Sequence, residues 1–143
     1  MGDSTCKNEK GKNHQKNEDN TAINPGTVKL INETGENYRK KNYLKAYEGF
    51  LLLVQLDSTN GEYYYKKAYC ESQLRYSTLQ EIEDWRKAIE LNYKKADSYY
   101  NMALCYLMLN EDSIGILHLK NCLREDSNYK DARDLMAKLE NIK

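Results

Sequence analysis

The feature that most constrains this chain is a unit of 34 or 35 residues that recurs three times after residue 26. The recurrence is marked by apolar residues at equivalent positions, namely Phe50, Trp85 and Leu119, and then Leu53, Ala88 and Cys122. Within each unit, two stretches with helical spacing of apolar residues are separated by a short polar turn, at 40–42, 75–77 and 110–112. A repeat of this length and composition predicts an array in which each unit buries its apolar face against the next.

The third unit, 96–129, shows the pattern most clearly. Its first helical stretch carries Tyr99, Met102, Ala103 and Tyr106, and its second carries Gly115, Leu119 and Cys122. With these residues the unit resembles a tetratricopeptide repeat, a family whose units pair two helices through small residues. In the order given, they stand at the family's Trp, Leu, Gly, Tyr, first Ala, Phe and second Ala positions.

This resemblance implies an all-α fold, a right-handed α-solenoid of three helix–turn–helix units followed by a C-terminal capping helix. The repeats are predicted at 27–60, 61–95 and 96–129, and the cap at 130–143. The first helix of the first repeat can be aligned in two registers, because Gly35 to Ala46 is one residue short of the family spacing. The second repeat carries Glu81 where the family has a small residue. With Glu83, we interpret it as a carboxylate placed beside a helix start.

Residues 1–26 are rich in Lys, Asn, Glu and Asp and contain almost nothing to bury, so the sequence predicts a disordered tail. Asn24-Pro25-Gly26 is expected to separate this tail from the first helix. Cys6, followed by a long hydrophilic stretch, leaves two interpretations open: an ordinary cysteine, or a lipid anchor like that at the mature start of a bacterial lipoprotein.

Charge and cysteine usage exclude several classes of protein. The 22 basic and 22 acidic residues balance, which argues against sequence-independent nucleic-acid binding. No apolar run approaches the length of a membrane span. No two of the four cysteines lie close together in the sequence, so neither a metal site nor a cofactor is predicted. Three of them fall on apolar helix faces, which favours free thiols and a cytoplasmic location, the alternative being lipid anchoring in a bacterial envelope.

In the family that the chain resembles, the first helix of each repeat lines a groove that holds a peptide. The resemblance therefore implies a protein-interaction scaffold or adaptor without enzymatic activity. The alternative is a lipid-tethered or self-associating structural subunit of a cell-envelope assembly, with homo-oligomers possible. The side chains expected to line the groove are Tyr38, Arg39, Tyr65, Lys66, Tyr69, Gln73, Tyr100, Asn101, Leu104 and Met108.

One family activity is expected to be absent. Members that bind the acidic C-terminal tails of heat-shock chaperones use basic and Asn residues at fixed positions of three successive first helices. Those positions carry a single basic residue here, Lys66, while Asp97 would repel an acidic tail. We therefore predict no binding to such tails.

Overall fold

The computed structural model describes residues 24–142. They form seven α-helices, each packed mainly on its neighbours in the chain. The helices are α1 (Pro25–Arg39), α2 (Tyr43–Leu56), α3 (Gly61–Leu74), α4 (Thr78–Glu90), α5 (Lys95–Met108), α6 (Asp112–Glu125) and α7 (Lys130–Asn141). The predicted fold, three helix pairs followed by a last helix, is confirmed.

The first helix begins slightly earlier than predicted. The Asn24 side chain caps α1 by accepting a hydrogen bond from the Gly26 N–H at 2.8 Å. Pro25 takes the first helical position, where its missing N–H costs nothing. The expected break at 24–26 is thus a helix start, and the predictions for Cys6 and for the rest of 1–23 lie outside the described residues.

The turn inside each pair follows one geometry. Lys41, Arg75 and Asn110 stand at equivalent places, and each adopts a left-handed backbone with φ of 60°, 54° and 60°. The residue after each donates its N–H back to a carbonyl five residues earlier, which satisfies helix C-terminal carbonyls as in a Schellman motif. These bonds are Asn42 N to Asn37 O at 2.9 Å, Tyr76 N to Glu71 O at 3.2 Å and Glu111 N to Tyr106 O at 2.9 Å.

The core consists of three clusters, each joining one helix pair to the next helix along. All six residues that mark the repeat are at most 2% exposed. The clusters comprise Ala46, Phe50, Leu53 and Cys70; then Ala68, Ile82, Trp85, Met102 and Cys105; and finally Ala103, Leu119, Cys122 and Ala132. The predicted core positions are confirmed, and neighbouring repeats share their apolar surface.

The structure resolves the register of the first repeat. Thr34 is 2% exposed and lies against Gly49, whereas a Cβ placed on Gly35 would meet nothing within 4 Å. Thr34, rather than Gly35, is therefore the helix-contact residue equivalent to Ala68 and Ala103. The reason is steric, because the close approach between helices requires only one of the two facing residues to lack a side chain.

The last helix closes the array. Ala132 is fully buried, and Leu135, Met136 and Leu139 pack against the third core cluster, as the sequence predicts for a cap. Within 24–142, none of the helices combines the length and the apolar character that a membrane crossing requires.

Candidate functional site

The first helices of the three repeats, α1, α3 and α5, lie side by side and contact one another through aromatic side chains. The rings of Tyr38 on α1 and Tyr69 on α3 meet edge to face with centroids 5.8 Å apart. The Tyr65 hydroxyl of α3 donates to an Asp97 carboxylate oxygen of α5 at 3.4 Å. These contacts join the three helices on which the predicted groove residues lie.

Half of the predicted site residues line a single pocket between the C-terminal parts of α3 and α5 and the start of α4. Its volume is about 880 Å³, within the range of ligand-binding pockets. We call it the α3–α5 pocket. The predicted residues in its wall are Tyr69, Gln73, Asn101, Leu104 and Met108. It is completed by Ser72, Arg75, Tyr76, Thr78, Glu81, Cys105 and Leu107.

The α3–α5 pocket combines apolar surface with amide groups. Met108 and Tyr76 are 65% and 51% exposed, which is unusual for side chains of their size. The Asn101 side-chain N–H donates to the Asp97 carbonyl at 2.8 Å and so fixes the orientation of that amide. The Gln73 amide, which is exposed, donates to the Ser72 hydroxyl at 3.3 Å. A peptide chain could find both apolar contacts and hydrogen-bonding partners here.

Three predicted residues lie towards the N-terminal end. Arg39 is exposed and ion-paired with Glu36 in a separate hollow of about 870 Å³ lined mainly by α1. Lys66 forms an ion pair with Glu62 at 2.5 Å, and its ammonium lies 5.4 Å from the centroid of the Tyr38 ring. The charge of Lys66 is thus already partly compensated within the domain.

Tyr65 and Tyr100 lie on the expected helices, but most of each ring serves packing. Tyr65 contacts Trp85 and Tyr93, with centroids 5.1 and 5.4 Å apart. Tyr100 lies 5.2 Å from Tyr129 and packs against the third core cluster. Burial raises the pKa of both phenols. Replacing either ring would disturb the repeat contacts as well as the groove.

Glu81 is the pocket residue whose role the sequence did not predict. It lies in the first turn of α4, as the sequence predicts for a helix-start carboxylate, but it is only 7% exposed and is packed between helices. Its Oε1 accepts a hydrogen bond from the Trp85 indole N–H at 3.2 Å, and the Cys105 thiol also contacts the carboxyl. Burial raises its pKa, and these two hydrogen bonds act in the opposite direction. The sequence signal was its place at the small-residue position equivalent to Ala46 and Gly115.

A second group of buried charges lies outside the α3–α5 pocket. Lys67 is ion-paired with Asp84 and lies 3.5 Å from a Glu71 oxygen, all three side chains being at most 6% exposed. Burial, followed by the charge of Asp84, raises the pKa of Glu71 to about 8. A protonated Glu71 leaves the trio electrically neutral. This cluster therefore serves packing between α3 and α4.

Among residues 24–142, no group of His, Cys, Asp and Glu side chains converges in a way that would hold a metal ion. The ring of His118 is stacked on the rings of Tyr99 and Tyr106, with centroid distances of 6.0 and 5.2 Å, so this side chain serves packing. Burial lowers the pKa of His118, with the nearby Arg86 charge a smaller cause.

The same arrangement of helix pairs occurs in solved structures. The first tetratricopeptide domain of Spaghetti (RPAP3), bound to the HSP90 peptide SRMEEVD, superimposes with a TM-score of 0.71, covering 81% of this chain and 91% of that one at 15% identity. The chain has the tetratricopeptide-repeat fold. The Arabidopsis OM64 tetratricopeptide domain gives a TM-score of 0.71 at 18% identity, with 82% and 96% of the two chains covered.

A bacterial protein shows the same fold. The Yersinia enterocolitica type III secretion chaperone SycD, in complex with a peptide of the translocator YopD, gives a TM-score of 0.67 at 16% identity, covering 85% of this chain and 92% of that one. No protein-family model and no curated protein sequence matches the chain. The likeness therefore rests on the arrangement of the helices in this tetratricopeptide-repeat domain.

Proposed function

We propose that this tetratricopeptide-repeat domain is an adaptor that binds a peptide segment of another protein along α1, α3 and α5. The observation that carries the proposal is the α3–α5 pocket, which is open, large and lined by exposed apolar and amide side chains of two neighbouring repeats. A groove of this kind favours an extended or helical peptide whose apolar side chains enter the pocket. Linear peptides reach about micromolar affinity, or roughly −8 kcal/mol, in such sites.

Two of the structural neighbours support this proposal. RPAP3 and SycD were each solved with a peptide, an HSP90 peptide and a translocator peptide respectively. The two peptides come from different proteins, so the shared fold supports a mode of binding and leaves the sequence of the bound segment open. That sequence depends on the side chains of this groove.

The groove of this domain does not suit an acidic chaperone tail. Lys66 is paired with Glu62, and Asp97 lies on α5 where it accepts the Tyr65 hydroxyl hydrogen bond. A carboxylate arriving between Lys66 and Asp97 would meet one compensated cation and one anion. We therefore expect the peptide SRMEEVD to show no saturable binding in a fluorescence-anisotropy titration.

The test of peptide binding is selection from a random heptapeptide library on the immobilised full-length protein. Enriched peptides are resynthesised and titrated against Met108→Ser and against Leu56→Ser. Met108 lies in the α3–α5 pocket, and Leu56 at the end of α2 is a matched apolar side chain, with exposed fractions of 65% and 62%.

Truncation of Met108 removes apolar surface that the peptide would bury, so Met108→Ser should weaken peptide binding by about tenfold or more. Leu56→Ser should leave binding unchanged. Equal affinity for the two variants, or a library that yields no binding peptide, would overturn the proposed function.

A further inference from the structure

Resting on the proposed function, we propose that the α3–α5 pocket selects a peptide with a long basic side chain, arginine or lysine, whose cationic end pairs with Glu81. Such a segment would carry apolar residues beside the basic one. This specificity is opposite in charge to that expected of a groove for acidic tails.

The first observation is the place of Glu81 in the repeat. The equivalent residues of the first and third repeats are Ala46 and Gly115, both buried where the paired helices approach each other. In the second repeat a carboxylate occupies this position, at the floor of the α3–α5 pocket and 93% shielded from solvent by the protein. A carboxylate at this depth loses hydration that its surroundings must replace.

The second observation is the lack of a counter-ion for this carboxylate. Within residues 24–142, ten ion pairs are formed by Lys and Arg side chains, and Glu81 takes part in none of them. Its polar contacts are the Trp85 indole N–H and the Cys105 thiol, which are neutral donors. By contrast, the buried Asp84 on the same helix is paired with Lys67. An arriving cation would give Glu81 the compensation that Asp84 already has.

The walls of the pocket fit the rest of such a side chain. Leu104, Leu107 and Met108 offer apolar surface along which the methylene stem of Lys or Arg can lie. The rings of Tyr69 and Tyr76 border the same space, and a guanidinium stacks favourably on aromatic faces. Together these residues place apolar and aromatic surface in the lining of the pocket that Glu81 also lines.

Arg75 also lines the pocket and is the charge that could compete. Arg75 is the residue with a left-handed backbone that follows α3, and its side chain is exposed. It forms no ion pair with a carboxylate among the described residues. Its charge therefore stays hydrated at the rim, whereas that of Glu81 is desolvated at the floor. If Arg75 were the resident partner of Glu81, its replacement by Gln would strengthen the binding of an added cation.

The direct test follows the indole N–H signal of Trp85 in a ¹H–¹⁵N NMR spectrum of the full-length protein. Trp85 is the single tryptophan, and its N–H donates to Glu81, so the signal reports on this carboxylate. The probe is n-butylguanidinium, titrated at mildly alkaline pH to keep Glu81 ionised, with n-butanol as the uncharged comparison.

We expect a saturable shift with n-butylguanidinium, and affinity reduced by about tenfold or more in Glu81→Gln, the scale of a buried charge-assisted hydrogen bond. The matched control is Glu83→Gln, an exposed carboxylate two residues along α4, which should bind as the wild type does. Thermal unfolding of Glu81→Gln checks that the variant is folded. An unchanged affinity in Glu81→Gln, a tighter one in Arg75→Gln, or an equal response to n-butanol would overturn the assignment.

The heptapeptide selection separates the two proposals. If peptides bind through Met108 and share a basic residue at one position, and this preference disappears on Glu81→Gln, both proposals are supported. If peptides bind through Met108 without a basic residue, the specificity for a cation is refuted while peptide binding stands. If no peptide binds in the groove, both proposals fail.

Discussion

The contact between α1 and α2 at Gly49 predicts opposite effects on stability for Gly→Ala substitutions at positions 49 and 35. Gly49 of α2 faces Thr34 of α1, and a Cβ at position 49 would lie 2.1 Å from Thr34 Oγ1, 2.8 Å from its Cγ2 and 2.9 Å from its Cβ. Rotation of the Thr34 side chain could move the first two atoms, but the Cβ is fixed by the backbone. In Gly49→Ala the helices must therefore move apart.

Gly35, next to Thr34 in sequence, is the internal control. It also lies within α1, and a Cβ there would meet nothing within 4 Å. Replacing a helical glycine by alanine gains about 0.5–1 kcal/mol in both positions, because the unfolded chain loses conformational freedom. Overpacking at position 49 costs about 1–3 kcal/mol in addition. Gly35→Ala should be more stable than the wild type. Gly49→Ala should be less stable than Gly35→Ala by the overpacking cost, about 1–3 kcal/mol.

The assay is urea denaturation of the full-length protein, followed by far-UV circular dichroism and by Trp85 fluorescence. The difference in the free energy of unfolding between the two variants measures the steric cost alone, since the helix-propensity gain cancels. Combining Gly49→Ala with Thr34→Gly removes the facing Cβ and should show a favourable coupling of about 1–3 kcal/mol in a double-mutant cycle. Equal stability of Gly49→Ala and Gly35→Ala would refute the close approach of α1 and α2.

Three further predictions concern buried groups. The pKa of Glu71 is raised from 4.5 to about 8, so between these values the folded protein keeps a proton that the unfolded chain has lost. Its free energy of unfolding should therefore fall as pH rises, by up to about 1.4 kcal/mol per pH unit, and urea titrations across this range should show that Glu71→Gln removes the slope. Ala103 is fully buried in the third core cluster, and Ala103→Leu should cost about 1–3 kcal/mol in the same assay; no loss would mean that position 103 does not lie between helices. Burial raises the pKa of the Cys122 thiol to about 11, and this side chain lies in the third core cluster, so its alkylation in the native protein should proceed only as fast as the domain opens; rapid labelling of this cysteine would contradict its burial.

The sequence alone determined the helices, their pairing and the core of this domain. These features follow from apolar residues that recur at a nearly fixed spacing along the sequence, such as Phe50, Trp85 and Leu119. Each repeat must bury its apolar residue against its neighbours, because no single repeat is stable alone. The inner turns were equally predictable, since a short polar stretch between two apolar helices has few ways to reverse the chain. The positions of the first helices of the repeats, which form the proposed groove, followed from the same period.

Only the tertiary structure decided which side chains of those helices remain available to a ligand. Tyr65 and Tyr100 lie on the predicted helices, yet their rings pack against Trp85 and Tyr129 of their own repeats. Thr34 and Gly35 are adjacent and both small, so only the contact with Gly49 shows which of them faces α2. Glu81 shows the difference most clearly. A charged carboxylate is usually exposed to solvent, whereas the position of Glu81 in the repeat places it in the interior. A residue type reports how a side chain prefers to be solvated, but the space left between packed helices fixes the solvation that it receives.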